Sequence, residues 1–190
     1  MGCDEAGRGC LAGPVFAAAV MLDPDHPIEG LNDSKKLSEG SRNVLRQVIE
    51  EKAICYAVRY SDPILIDRIN ILQASLKAMF DAVIALVQKP SLVLVDGRIA
   101  IPSLPFPQQC IIKGDALFQS IAAASILAKT YRDEFMQSLH VEYPFYHWHR
   151  NKGYGTPQHL LAIDEYGLSK HHRKSFQIKN HNGILFDELS

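Results

Sequence analysis

The chain has no apolar run long enough to cross a membrane. Its longest, residues 15–22 and 121–128, span eight positions each, against the ~20 that a spanning helix needs. No basic segment followed by an apolar core opens it, so no export signal is expected. It has four cysteines, Cys3, Cys10, Cys55 and Cys110, scattered without a CxxC pair. That excludes a disulfide framework and a structural zinc site, and makes a reduced, cytoplasmic setting the expectation. It also lacks an excess of either charge, with a net −1, and it lacks repeats and low-complexity tracts. What remains is ordinary globular material. The 190 residues, 47% hydrophobic and 22% charged, suit one domain with an ample core.

The charge is unevenly spread. Residues 1–149 hold 14 Lys and Arg against 17 Asp and Glu, whereas residues 150–182 hold 6 against 2, with four His besides. A basic flank beside a more acidic body fits phosphate binding next to a carboxylate cluster, although a solvated basic face has the same composition. The expected division is a catalytic region over 1–143 and a helical, basic extension over 144–190 packed on it.

Periodicity gives the elements. Residues 14–22 read as a strand after a glycine-rich turn over 7–13. Ser38 or Ser41 can cap a helix with Val44, Leu45, Val48 and Ile49 on its apolar face. Residues 53–60 read as a strand. Asp62-Pro63 starts a helix, and Ile69, Leu72, Leu76, Met79, Val83 and Leu86 then recur at helical spacing to about Val87. Residues 92–95 form a wholly apolar strand ending in Asp96-Gly97, and residues 109–113 form another strand. Gly114-Asp115 is expected to open the strongest helix, with Leu117, Ile121, Ala124, Ala128, Tyr131, Phe135 and Leu139 as its stripe. Thr156-Pro157 starts a short last helix to about Tyr166. This order indicates an α/β layer structure.

The acids stand out by context. Asp4-Glu5 lie on or beside the first strand, Asp96 ends an apolar strand, and Asp115 follows another. A carboxylate costs several kcal/mol to bury without a partner. Four that meet would repel unless cations sit between them, and oxygen-only ligands favour Mg²⁺ or Mn²⁺. Two such ions can stabilise both the attacking and leaving oxygens of phosphodiester cleavage. Each acid alone also has an ordinary reading: a helix cap for Asp115, a turn for Asp96-Gly97, a solvated terminus for Asp4-Glu5. Gly7-Arg8-Gly9 offers backbone that a ligand can approach, plus a cation. Lys35 and Lys36 place two cations in a loop. Tyr154, on flexible backbone between Gly153 and Gly155, suits stacking on a sugar or base. His147-Trp148-His149 reads as structural in preference to metal-binding.

The motifs, taken together, resemble a known family. Gly2-Cys3-Asp4-Glu5-Ala6-Gly7-Arg8-Gly9 with Leu11-Ala12-Gly13-Pro14-Val15, then Asp33-Ser34-Lys35-Lys36-Leu37-Ser38, Asn70-Ile71-Leu72-Gln73-Ala74, Val95-Asp96-Gly97 and Lys113-Gly114-Asp115 follow the order seen in ribonuclease HII. So do Ala124-Ser125-Ile126-Leu127-Ala128-Lys129 with Arg132-Asp133, Lys152-Gly153-Tyr154-Gly155-Thr156 and His172-Arg173-Lys174-Ser175-Phe176. The resemblance implies the ribonuclease H-like fold: a five-stranded mixed sheet flanked by helices, with a helical C-terminal part. It implies an endonuclease that cuts 5′ to ribonucleotides in RNA–DNA hybrids and at single ribonucleotides in duplex DNA, leaving 3′-hydroxyl and 5′-phosphate ends. It implies Asp4, Glu5, Asp96 and Asp115 as ligands of two Mg²⁺ or Mn²⁺ ions. Gly7, Arg8 and Gly9 would read the ribose 2′-hydroxyl, Tyr154 the next sugar, and Lys35 and Lys36 the phosphates or the site's edge. Nucleic acid is the expected partner, no membrane is involved, and a monomer is expected.

The sequence departs from that pattern at Cys10, Lys174 and Asn151, none of them at a ligand position. Few residues precede Asp4, so the first strand is expected to be short and frayed. Ribonuclease HIII, an inactive nucleic-acid binding module and a small-molecule phosphohydrolase are the alternatives. A Gly-Arg-Gly loop where ribonuclease HIII carries a Gly-Lys-Gly type, and the presence of all four acids, weigh against the first two. Competition by duplex DNA would test the third.

Overall fold

A computed structural model describes residues 1–32, 34 and 36–177. Five strands form one sheet in the order β3-β2-β1-β4-β5, namely β1 (Gly2–Ala6), β2 (Val15–Met21), β3 (Cys55–Ser61), β4 (Val93–Asp96) and β5 (Gln108–Ile111). β1, β2 and β3 pair antiparallel, whereas β4 and β5 pair parallel. The expected mixed sheet is therefore present. β1 is the middle strand, and it is not frayed: all five of its residues pair with β2, from Gly2 opposite Val20 to Ala6 opposite Phe16. The Met1 carbonyl also accepts from the Leu94 amide at 2.9 Å. Asp4 is thus the third residue of a fully laddered strand.

Both faces of the sheet are covered, which explains why β2 (VFAAAVM) is apolar throughout. Alternation sends Ala17 and Ala19 to one side and Ala18 and Val20 to the other. Helix α2 (Pro63–Ile84) packs on the first side through Leu76, Met79, Ala82 and Val83. Helices α1 (Glu39–Lys52) and α3 (Gln119–Glu142) pack on the second through Ile49, Ala123, Ala124, Leu127 and Ala128. Small residues on both partners let α3 come close to the sheet. A Cβ placed on Gly2 would lie 2.2 Å from the Ser120 backbone.

Three expectations need correction. Ser38 caps α1, accepting from the Ser41 amide, but only Ile49 of that helix is fully buried and Val44 is 62% exposed. The helix lies at the sheet's flank and buries a narrow stripe. α2 is not continuous. At Asn70 (φ 68°, ψ 164°) the backbone leaves the helix, and the Asn70 side chain re-caps it by accepting from the Gln73 amide at 3.1 Å. The helix expected from Gly114 is also two pieces. Lys113 is left-handed (φ 57°), Gly114–Ala116 make one 3₁₀ turn, and α3 starts only at Gln119. Leu117, counted in the apolar stripe, is 68% exposed. The offset between Lys113 and Gln119 left room for a turn that periodicity does not register.

After α3 the chain makes the 3₁₀ turn Pro144–Tyr146 and the short helices α4 (Trp148–Asn151) and α5 (Pro157–Tyr166). Ala12, Met136, Leu139, Tyr146, Trp148, Ala162 and Ile163 form one apolar cluster, so this segment packs on α3 and on the loop after β1. Beneath it runs a histidine relay whose proton positions follow from its donors. The Ser169 amide donates to His172 Nδ1 at 2.9 Å, so His172 carries its proton on Nε2 and gives it to His159 Nε2 at 3.2 Å. Trp148 Nε1 also donates to His159 Nε2, at 3.0 Å, and His159 Nδ1 then donates to the Tyr154 carbonyl at 2.9 Å. Protonating either ring removes an acceptor. Burial, then the neighbouring His159, pushes His172 down to about 3.

An unfolded histidine titrates near ~6.5. Neutral His172 therefore contributes stability that is full above that pH and is lost as pH falls from there toward 3. Between pH 7.5 and 5 the melting temperature of the wild type should fall more steeply than that of His172→Asn. Parallel slopes would show that the ring does not hold its neutral form in the fold.

Candidate active site

The acids gather where the middle strands end. β1 and β4 run parallel with Cys3 beside Val95, and one step beyond that pair lie Asp4 and Asp96. Alternation on β1 turns Asp4 toward α3 and Glu5 toward α2. Asp4 is 5% exposed. Its carboxyl is pushed well up by burial, then by the negative charges of Glu5 and Asp96, and is held back only in part by a hydrogen bond from Ser125. Glu5 is raised by burial too, against the pull of Arg8, whose Nη1 reaches its carboxylate at 3.2 Å. Asp96 Oδ1 accepts from the Gly114 amide at 2.7 Å. That bond draws the turn carrying Asp115, itself 8% exposed, to the end of β4.

Glu5, Arg8, Asp96, Gly97 and Arg98 share one cleft, of about 290 Å³, floored by Leu72, Ser75, Leu76 and Met79 of α2. Among the described residues, no three His, Cys, Asp or Glu side chains converge as a finished ligand set. The acids are brought to one end of the sheet, not to one point. Their chemistry nonetheless fits a hard divalent cation: the donors are carboxylates whose mutual repulsion a cation relieves. Cys3 does not compete, because burial and the charges of Asp4 and Glu5 push its thiol up and keep it protonated.

Of the other candidates, Gly7, Arg8 and Gly9 follow β1 directly. Arg8 and Gly9 are exposed and Gly7 is buried. The two glycines have different reasons. Gly7 has φ +94°, and a Cβ there would lie 2.0 Å from Arg132 Nε; a Cβ on Gly9 would meet nothing within 4 Å. Lys36 is exposed on its loop. Lys35, like Asp33, lies outside the described residues. Tyr154 is 43% exposed, with its ring 6.0 Å from both Lys129 Nζ and the Arg132 guanidinium. Its backbone is not loose, as two flanking glycines led us to expect. Its amide donates to the Asn151 carbonyl, and its own carbonyl accepts from Thr156 N and His159. His149 stacks on His140 at 3.9 Å, and Trp148 is fully buried, so that segment is packing.

Ser125 does not stand out in the sequence as a site residue. Its hydroxyl bonds Asp4 and also lies 2.9 Å from Ser34 Oγ, which ties the Lys36 loop to the acid cluster. The signal was there: a lone hydroxyl inside the buried stretch 121–128. Arg132 and Arg173, both fully buried, figure in the sequence only as members of motifs.

A mixed five-stranded sheet with acids on two adjacent strands, Asp4 within β1 and Asp96 ending β4, defines the ribonuclease H-like class of nucleases. The sequence profile described as Ribonuclease HII matches residues 1–179. The chain is 57% identical to "Ribonuclease HII" of Idiomarina loihiensis over 175 residues, covering 92% of this chain and 93% of the relative. It is 54% identical to that of Christiangramia forsetii over 177 residues, covering 93% and 89%. The ribonuclease H2 structure from Pyrococcus horikoshii OT3 superposes with a TM-score of 0.79 at 26% identity, covering 93% of this chain and 92% of the other. The chain belongs to the ribonuclease HII family. It is a metal-dependent endoribonuclease that acts on the RNA of RNA–DNA hybrids.

Two substitutions separate the glycines. Gly7→Ala should lower the melting temperature by several degrees, since it forces strained backbone against Arg132. Gly9→Ala should leave the melting temperature within about a degree of the wild type, because nothing in the protein fills that space. A Gly9→Ala variant that unfolds early would show that the space is filled in solution. Removing a charge should also help the metal-free fold: Asp96→Asn should melt higher than the wild type at pH 7.5 without metal, as Asp4 loses a like-charged neighbour.

Proposed function

We propose that the protein hydrolyses the phosphodiester bond 5′ to a ribonucleotide, both in hybrids and at a single ribonucleotide within duplex DNA, leaving 3′-hydroxyl and 5′-phosphate ends. The observation that carries this reading is Asp4, on the middle strand, set beside Asp96 at the end of neighbouring β4, with Glu5, Arg8 and Asp96 lining one cleft. Asp4, Glu5, Asp96 and Asp115 would hold two divalent ions, Mg²⁺ or Mn²⁺. When bound, these ions supply a water of lowered pKa and charge that stabilises the phosphorane-like transition state. The chain's own residues do the rest. Ser125 and the Gly114 amide orient the carboxylates of Asp4 and Asp96. Arg8 screens Glu5 and adds a cation at the cleft's mouth. Gly9 leaves backbone bare for a sugar hydroxyl, which is how a protein tells RNA from DNA at one position. Tyr154, pinned through its backbone, offers its ring to the next sugar, and Lys35 and Lys36 serve the phosphates.

In the same reading residues 144–190 are a basic extension of the catalytic region, residues 1–143, packed on it through residues 144–177 and lying outside the described residues from 178 on, and the protein works as a monomer in the cytoplasm.

The test is a duplex with one ribonucleotide, incubated with Mg²⁺ or Mn²⁺ and mapped for its cut. Cleavage 5′ to the ribonucleotide is expected, falling by orders of magnitude in Asp96→Asn. Near-wild-type cleavage by that variant would remove Asp96 from the site. Tyr154→Ala should cost roughly fivefold to 150-fold at the lone ribonucleotide, the range of about 1–3 kcal/mol for lost stacking, and less on a long hybrid, where the next sugar is a ribose. Equal losses on both would place Tyr154 in general binding.

A further inference from the structure

The loop after β1 is held from behind by two cations. Arg132 and Arg173 are both 0% exposed, a costly position for a charge unless its donors are satisfied. Arg132 donates to the carbonyls of Pro14, Lys152 and Ala12 at 3.0, 2.8 and 3.1 Å. Arg173 donates to those of Gly13, Arg8 and Gly7 at 2.9, 2.8 and 2.7 Å. Its own amide donates to the Leu11 carbonyl, and its neighbour His172 bridges Ala12. Asp67 fastens the next residues by accepting from the amides of Lys174 and Ser175. A segment 160 residues downstream of Gly13 is thus built onto the turn that follows the acidic pair.

The direction of these bonds matters more than their number. The Gly7 carbonyl belongs to the peptide unit whose N–H is that of Arg8, and the Arg8 carbonyl to the unit whose N–H is that of Gly9. In a planar trans peptide the two groups point opposite ways. With both oxygens turned inward to one guanidinium, the Arg8 and Gly9 amides face away from it. Both residues are exposed, and a Cβ on Gly9 would meet nothing within 4 Å, so a ligand can approach this backbone. A cation on the carbonyl also polarises each amide and makes its N–H a better donor.

We infer that Arg173 is a positioning residue that aims the Arg8 and Gly9 amides at the substrate's ribose, so the C-terminal segment is part of the ribonucleotide reader. This rests on the reading of the loop as the sugar contact. The planar fork reaches three carbonyls at once, which a lysine's single ammonium cannot match in geometry. Arg173→Lys keeps the charge and loses the aim.

The experiment compares binding to two duplexes, one all-DNA and one with a single ribonucleotide, in metal-free buffer, together with melting temperature. The ratio of the two affinities reports the sugar reading, whereas a merely structural role would lower stability and both affinities alike. Arg173→Lys and Arg173→Gln should lower the ratio about tenfold, the loss of roughly one well-aimed hydrogen bond, with all-DNA affinity changed less than about twofold. An unchanged ratio in Arg173→Lys beside a lowered melting temperature overturns the inference. Gly9→Ala keeps the two failures apart. If it lowers the ratio while the Arg173 variants do not, only the role of Arg173 fails; if it too leaves the ratio unchanged, the loop does not read the sugar. Amide exchange on the wild type needs no variant. The ribonucleotide duplex should protect the Arg8 and Gly9 amides more than the all-DNA duplex does, and equal protection by both also counts against the aim.

Discussion

The repulsion among carboxylates at the end of the sheet is the constraint around which the molecule is arranged. Asp4 is nearly buried on the middle strand, with Glu5 next to it and Asp96 on the neighbouring strand. Burial first, and then that company, raises its carboxyl, so the metal-free fold carries an electrostatic cost at neutral pH. A protein keeps such a cost only where the charges do something. The scaffold that tolerates it is a sheet apolar on both faces and a helix, α3, whose small residues bring Ser125 within reach of Asp4. The hydroxyl and the Gly114 amide orient two of the acids without neutralising them. In the function proposed above, neutralisation is left to a bound cation.

A second arrangement handles the opposite sign. Two buried guanidiniums sit under the turn that follows the acids, and they are satisfied by backbone carbonyls. Their charge lies behind the loop, where it favours an approaching phosphate backbone. Glycine at position 7 follows from the same packing, since Arg132 occupies the space of a side chain there. The histidine relay under Tyr154 is the third member of the assembly behind this loop. It holds the peptide of Tyr154 through a neutral ring in place of a charged one.

Much of this was legible in the chain itself. The wholly apolar run before Asp96 announced an interior strand, and Asp62-Pro63 and Thr156-Pro157 marked helix starts that the structure keeps as caps. The acids were conspicuous because they interrupt or end apolar segments. What failed was local. Asn70 breaks α2 because a left-handed residue can re-cap a helix, and an apolar stripe continues across such a break without a sign of it. Asp115 sits on a 3₁₀ turn ahead of α3 for the same reason: the stripe's spacing survives the offset. Tyr154 looked loosely held because its glycine neighbours are visible in sequence, while the ties from Asn151 and His159 depend on a local turn through the positive-φ residues Lys152 and Gly153, which the sequence does not announce. Arg132 and Arg173 carried no signal of burial, since a sequence does not say which cations find carbonyls.

Asp115 joins the acids through its turn and not through its strand, so it tests most sharply whether the four form one ion site. Calorimetric titration of Mn²⁺ into the wild type and Asp115→Asn, both folded by circular dichroism, reads this directly. The account predicts that the variant loses at least tenfold in affinity or loses one bound ion. Wild-type affinity and stoichiometry in Asp115→Asn would contradict it, and would confine the site to Asp4, Glu5 and Asp96.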